Sequence, residues 1–127
     1  MKVGAVFREF TVRERLRVIL RTSLWRDLDD LLELVNSVVA EQAPIYINMD
    51  RPPTRENEAD WLASTLARVE KGEGVHVVAE VDGRVIGGGE VTKRTAYMSH
   101  VGDLGILVKE EFRDRGIGTE MVRTLID

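Results

Sequence analysis

A chain of 127 residues, 43% hydrophobic and 31% charged, has the size and apolar content of one folded domain. Its formal net charge of -4 argues against a broad nucleic-acid footprint, and the absence of cysteine excludes disulfides, zinc–cysteine centres and a thiol nucleophile. No apolar run reaches the length of a signal-peptide core or a membrane span, so the expectation is a cytoplasmic protein with neither nucleic-acid nor membrane partners.

In chain order, Phe10 to Val12 and Arg17 to Leu20 are short β-prone runs split by the polar Arg13-Glu14-Arg15, a hairpin or a strand with a leading arm over residues 1–16. The arginines around them (Arg8, Arg13, Arg15, Arg17, Arg21, Arg26) read as a solvated surface. Leu28, Leu31, Leu32, Val35, Val38 and Val39 then recur at helical spacing, with Asp27, Asp29 and Asp30 at the positive end of the helix dipole. Pro44, Pro52 and Pro53 punctuate a loop from Glu41 to Pro53. Thr54 is suited to cap a second helix running to about Lys71, with Ala59, Leu62, Leu66 and Val69 as its apolar stripe and Gly72 as its stop.

After Gly74 the period changes to two. Val75, Val77, Ala79 and Val81 alternate with their neighbours, Asp82-Gly83 supplies a hairpin turn, and Arg84 to Lys93 returns as the next strand. Gly87-Gly88-Gly89 inside that strand marks a bulge or a close backbone approach beside a ligand cleft. Val101 to Val108 is a third strand, and Met121, Val122, Leu125 and Ile126 pair as on a helix with one buried face. One α+β domain spanning 1–127 fits this order.

Between the last strand and the last helix stands Arg113-Asp114-Arg115-Gly116-Ile117-Gly118. The first N–H groups of a helix lack internal partners and carry the positive end of its dipole. Glycine there lets backbone approach a ligand closely, and successive N–H groups can surround phosphate oxygens with arginines alongside. These residues therefore suit a pyrophosphate cradle, but taken alone they suit an ordinary capped helix start as well. A Walker loop is excluded, because GxxxxGK[ST] does not occur. A dinucleotide fingerprint is excluded too, because Met121 stands where its third glycine belongs.

The segment DLGILVKEEFRDRGIGTEMVRTLI, residues 103–126, resembles the signature region of the GNAT family of N-acetyltransferases. That region is an apolar strand, a short turn and [Q/R]-x-x-G-x-[G/A] entering a helix; Arg113, Gly116 and Gly118 match its defining positions, and the upstream element order is similar as well. The resemblance implies a mixed, mostly antiparallel sheet flanked by helices, and an acetyl-CoA-dependent transfer of an acetyl group to a primary amine, with acetyl-CoA as cosubstrate and no metal. It implies that the pyrophosphate lies on the backbone of Arg113, Asp114, Arg115, Gly116, Ile117 and Gly118, with Thr119 opening the helix. It also implies that the pantetheine arm pairs with the backbone of Ile106, Leu107 and Val108, with an oxyanion donor near Leu107. Among carboxylates, Asp103 matches a position where several members of the family place a glutamate on this strand, and would act as the base directly or through a water, with Glu90 on the neighbouring strand as the second candidate and His100 as a helper. Tyr46 and Asn48 fall in the loop that would shape the acceptor site, for a small amine or a peptide or protein amine. Trp25 and Trp61 read as packing residues.

Family members continue past this helix, with a further strand and a helix that often carries a proton-donating tyrosine. The sequence stops at Asp127, so a fold with its C-terminal part missing is expected, and neither Tyr46 nor Tyr97 takes that tyrosine's place. An open sheet edge would leave a homodimer as one way of covering it. The competing expectation is a non-catalytic module that binds coenzyme A or another protein on a truncated fold.

Overall fold

The computed structural model describes residues 4–12, 15–40, 54–93 and 102–126. Its opening strands, β1 (Val6–Val12) and β2 (Leu16–Thr22), pair antiparallel as a hairpin with Val12 opposite Leu16. β2 ends in a buried ionic corner. The Arg21 guanidinium bonds both carboxylate oxygens of Asp27 at 2.8 Å and reaches Glu80 at 2.9 Å. Asp27 also accepts the Leu24 N–H at 2.7 Å, which closes a 3-10 turn at Trp25–Asp27 and aims the chain into the first helix. Fork-shaped, charge-assisted bonds of this kind keep a buried guanidinium and its carboxylates satisfied together.

Helix α1 (Leu28–Ala40) buries Leu28, Leu31, Leu34 and Val38. The stripe runs through Leu34, while Leu32 and Val35 are only half-buried, because α1 lies in a groove between the sheet and the second helix. That helix, α2 (Arg55–Glu70), starts where the sequence expects: Thr54 Oγ1 accepts the Asn57 N–H at 3.2 Å, and Asn57 Oδ1 accepts the Thr54 N–H at 3.0 Å. This reciprocal pair satisfies two otherwise orphaned donors. Gly72, with φ of 74°, ends it.

Three further strands follow: β3 (Gly74–Val81), β4 (Arg84–Lys93) and β5 (Gly102–Val108). Asp82 and Gly83 both adopt positive φ, 51° and 79°, the conformation of a tight hairpin turn. The described sheet has the order β1-β2-β3-β4-β5 with every neighbour antiparallel, which leaves β5 at an edge. Leu28, Leu31, Leu34, Leu62 and Leu66 pack on one face against Val78 and Val85. On the other face, helix α3 (Ile117–Ile126) sets Ile117, Met121 and Leu125 against Val18, Leu20, Val77, Ala79 and Ile86. This α+β arrangement positions two things, the end of β5 and the start of α3.

The triple glycine serves packing inside the chain. A Cβ on Gly89 would lie 2.5 Å from Ile106 Cδ1 and 3.1 Å from Leu125 Cδ1, so its absence lets α3 and β5 close onto the sheet. The bulge lies just before it: Ala79 faces Gly87 and Glu80 faces Val85, which leaves Ile86 as the extra residue. Next to it, the Val85 N–H is taken by Asp30 of α1 at 3.0 Å.

Candidate functional site

The chain leaves β5 through a braced loop. Lys109 donates its backbone N–H to Ile86 O at 2.9 Å, and its buried ammonium reaches Glu33 of α1, also at 2.9 Å. That contact, reinforced by Arg84 at 2.7 Å, holds the half-exposed Glu33 carboxyl below the usual range. A 3-10 turn at Glu110–Phe112 follows, and the Arg113 side chain folds back so that Nε donates to Val108 O at 2.9 Å. Arg115 Nη2 donates to Glu111 O at 3.3 Å. Both arginines thus tie the loop to itself, a role that their charge alone did not reveal.

Asp114 (φ 62°) and Gly116 (φ 84°) take left-handed conformations that turn the chain into α3. The helix begins at Ile117, two residues before Thr119. Its first bond runs from the Glu120 N–H to Gly116 O at 3.1 Å, so the N–H groups of Ile117, Gly118 and Thr119 come before the ladder. The buried Ile117 side chain anchors this turn in the core. Around Gly116 and Gly118, an added Cβ would meet nothing within 4 Å among the described residues. At Gly116 the backbone itself calls for glycine. Gly118 lacks positive φ, so neither its conformation nor its packing among the described residues requires glycine, and the missing side chain leaves the space in front of the helix N-terminus clear of them. Glu120, in the same turn, is held by Arg8 of β1 and by Arg123 at 3.1 Å, which offsets its charge beside that space.

Ile106 and Val108 pack toward the α3 face and Leu107 toward the α1–α2 face, while the backbone of β5 lies along the sheet edge. Across the strands, His76, Glu90 and Gly105 stand in one row: His76 opposite Glu90, and Glu90 opposite Gly105. Glu90 is half-buried, and a Cβ on Gly105 would meet nothing within 4 Å among the described residues. Glu90 stands between His76 and Gly105 in that row, and a carboxylate so placed can accept a proton from a bound group. The backbone of Asp103 lies opposite Thr92, two residues along β5 from Gly105. Tyr46, Asn48 and His100 lie outside the described residues. No group of three or more His, Cys, Asp or Glu suited to a metal occurs among the described residues, and none of their helices is long and apolar enough to cross a membrane.

Sequence reasoning passed over Ser23 and His76. Strand alternation placed His76 on the α1–α2 face, but no local motif ties it to Ser23, whose hydroxyl lies 2.8 Å from its Nδ1.

A family model described as the acetyltransferase (GNAT) family matches residues 35–127. The fold resembles an N-acetyltransferase from Staphylococcus aureus Mu50, with a TM-score of 0.72 at 19% identity, covering 86% of this chain and 64% of that one. It also resembles a ribosomal-protein-alanine N-acetyltransferase from Brucella melitensis, with a TM-score of 0.70 at 27% identity, covering 84% and 64%. A third similar structure is the microcin C7 self-immunity acetyltransferase MccE in complex with acetyl-CoA and AMP, with a TM-score of 0.71 at 11% identity, covering 86% and 60%. The chain therefore spans less than two thirds of the length of these relatives. No curated protein matches the sequence.

Proposed function

The chain belongs to the GNAT acetyltransferase family, and on that premise we propose that it transfers the acetyl group of acetyl-CoA to a primary amine by direct attack. The observation that carries this reading is Gly118, a residue of ordinary helical conformation in the first turn of α3 whose Cβ position is clear of the described residues. Such a gap suits a large anion held by backbone N–H groups and the helix dipole. The fit is with a pyrophosphate on the backbone from Arg113 to Thr119, braced by the side-chain bonds of Arg113 and Arg115. The backbone of Ile106, Leu107 and Val108, on the strand at the edge of the described sheet, offers the pantetheine arm a partner, and the bound complex of MccE supports acetyl-CoA as cosubstrate.

The acceptor enters as an ammonium and must lose a proton before it can attack. Glu90 or Asp103 takes that proton, Glu90 being favoured because it stands opposite Gly105, whose Cβ position is clear of the described residues. The amine lone pair then forms the C–N bond at the thioester carbonyl, a backbone N–H near Leu107 stabilises the oxyanion, and collapse breaks the C–S bond. The thiolate leaves and takes, through solvent, the proton that the nitrogen of the new amide sheds. The Brucella relative favours a peptide or protein N-terminal amine over a small amine. Cytoplasmic residence, a monomer or homodimer, and no membrane, nucleic-acid or metal requirement complete the proposal.

The test is incubation of the protein with acetyl-CoA and a panel of an alanine-initiated peptide, a lysine peptide and a polyamine, with free thiol and product mass followed. Acceptor-dependent thiol release with an acetylated product is expected. Tight coenzyme A binding without turnover on any amine would replace the enzyme with a non-catalytic binding module.

A further inference from the structure

Lys109 joins β5 to the glycine loop, and although it carries a charge it is only 8% exposed. Hiding an ammonium is costly unless an anion offsets it. The anion here is Glu33 of α1, 76 positions away in sequence, whose Oε1 accepts from Lys109 Nζ at 2.9 Å. Arg84 donates to the other oxygen, Glu33 Oε2, at 2.7 Å, so the carboxylate is gripped from two sides.

The backbone of Lys109 is tied as well. Its N–H donates to the O of Ile86, the extra residue of the β4 bulge, at 2.9 Å. Its own O accepts the Phe112 N–H, also at 2.9 Å, and that bond closes the 3-10 turn Glu110–Phe112. The Arg113 N–H then donates to Glu110 O at 3.1 Å, while the Arg113 side chain returns to Val108 O. The turn that leads to Gly116 and the first residues of α3 therefore hangs from Lys109. Binding groups keep their geometry only when the residues behind them are locked by bonds of their own.

We propose that Lys109, clamped by Glu33, is a positioning residue for coenzyme A: the ion pair fixes the exit of β5 and, through the 3-10 turn, the direction of the N–H groups that open α3. The role rests on reading the start of α3 as the pyrophosphate cradle. Lys109 acts through the turn and not by its own charge, and the two modes differ in sign. Coenzyme A is an anion, so removal of the Glu33 carboxylate favours its binding by charge alone. Loss of the clamp opposes it.

The experiment titrates coenzyme A calorimetrically into the wild-type protein, Glu33→Gln, Lys109→Met, the double variant and Arg55→Gln. Melting temperature and the amide hydrogen exchange of Phe112 and Arg113 are followed in the free proteins. Glu33→Gln and Lys109→Met are each expected to weaken binding by about fivefold or more and to speed both amides, and the double variant to match Lys109→Met. Arg55→Gln breaks a different ion pair of α1, with Asp29, and should bind within about twofold of wild type. Should Glu33→Gln fail to fold with its ammonium unpaired, the double variant, which removes both charges, gives the same reading. Unchanged or tighter binding by the folded variants overturns the proposal, as does weaker binding with unchanged exchange at Phe112 and Arg113. An equal loss in Arg55→Gln would mark a general loosening of α1 and overturn it too. A wild-type protein that binds no coenzyme A would refute the cradle itself, and the proposal with it.

Discussion

At Gly118 backbone conformation and packing leave a gap among the described residues that neither of them requires, whereas at Gly89 the chain's own side chains fill the equivalent space. The sequence shows the two glycines alike; only the neighbours, supplied by distant segments, separate a glycine with no described atom over it from one that admits a leucine. The same holds for His76, whose partner Ser23 lies 53 residues away. Its consequence is measurable in stability. The folded-state value of about 4 lies below the ordinary histidine value of 6.5, so the unfolded chain binds more protons between those limits. The contribution of the neutral ring is therefore complete above about pH 6.5 and is lost progressively as pH falls toward about 4, by about 3 kcal/mol in total. Urea unfolding at stepped pH should show this slope in the wild-type protein and a flatter one in His76→Gln. Parallel slopes would contradict a buried neutral imidazole.

Among the elements, those announced by local chemistry were legible. Thr54 with Asn57 marks the start of α2, Gly72 its end, and Asp82-Gly83 the hairpin, because each acts on backbone within a few residues. The stripe of α1 was read partly wrong, since Leu34 is as apolar as Leu32 and only the groove between sheet and α2 decides which is buried. The bulge at Ile86 was displaced from the glycines that suggested it, because register is set between strands and not within one. For Gly87-Gly88-Gly89 the structure assigns close packing within the fold. Gly89→Ala should accordingly destabilise the protein by about 1–3 kcal/mol in a denaturant titration, through contact with Ile106, Leu125 and Gly105 O. A change under about 0.5 kcal/mol would mean that α3 does not pack as closely as described.

Over the whole molecule, β5 and α3 meet at one end of the sheet, and the α1–α2 layer and the leading hairpin both brace that junction. Glu33 of α1 holds Lys109 at the end of β5, and Arg8 of β1 holds Glu120 in the first turn of α3. The glycine loop and its signature were readable from sequence because consecutive residues build them. The row of His76, Glu90 and Gly105 was not, because it is assembled from three strands. The open start of α3 is the proposed binding place of coenzyme A. It is tested most directly by calorimetric titration of coenzyme A into the wild-type protein and into Gly118→Trp, with thermal unfolding as a check. Gly118 is the better position than Gly116, whose φ of 84° would make any side chain a folding problem as well. Saturable binding by the wild-type protein, and its loss by at least about 100-fold in a Gly118→Trp variant of unchanged melting temperature, is the expected result. Equal affinity in the two proteins would contradict the cradle.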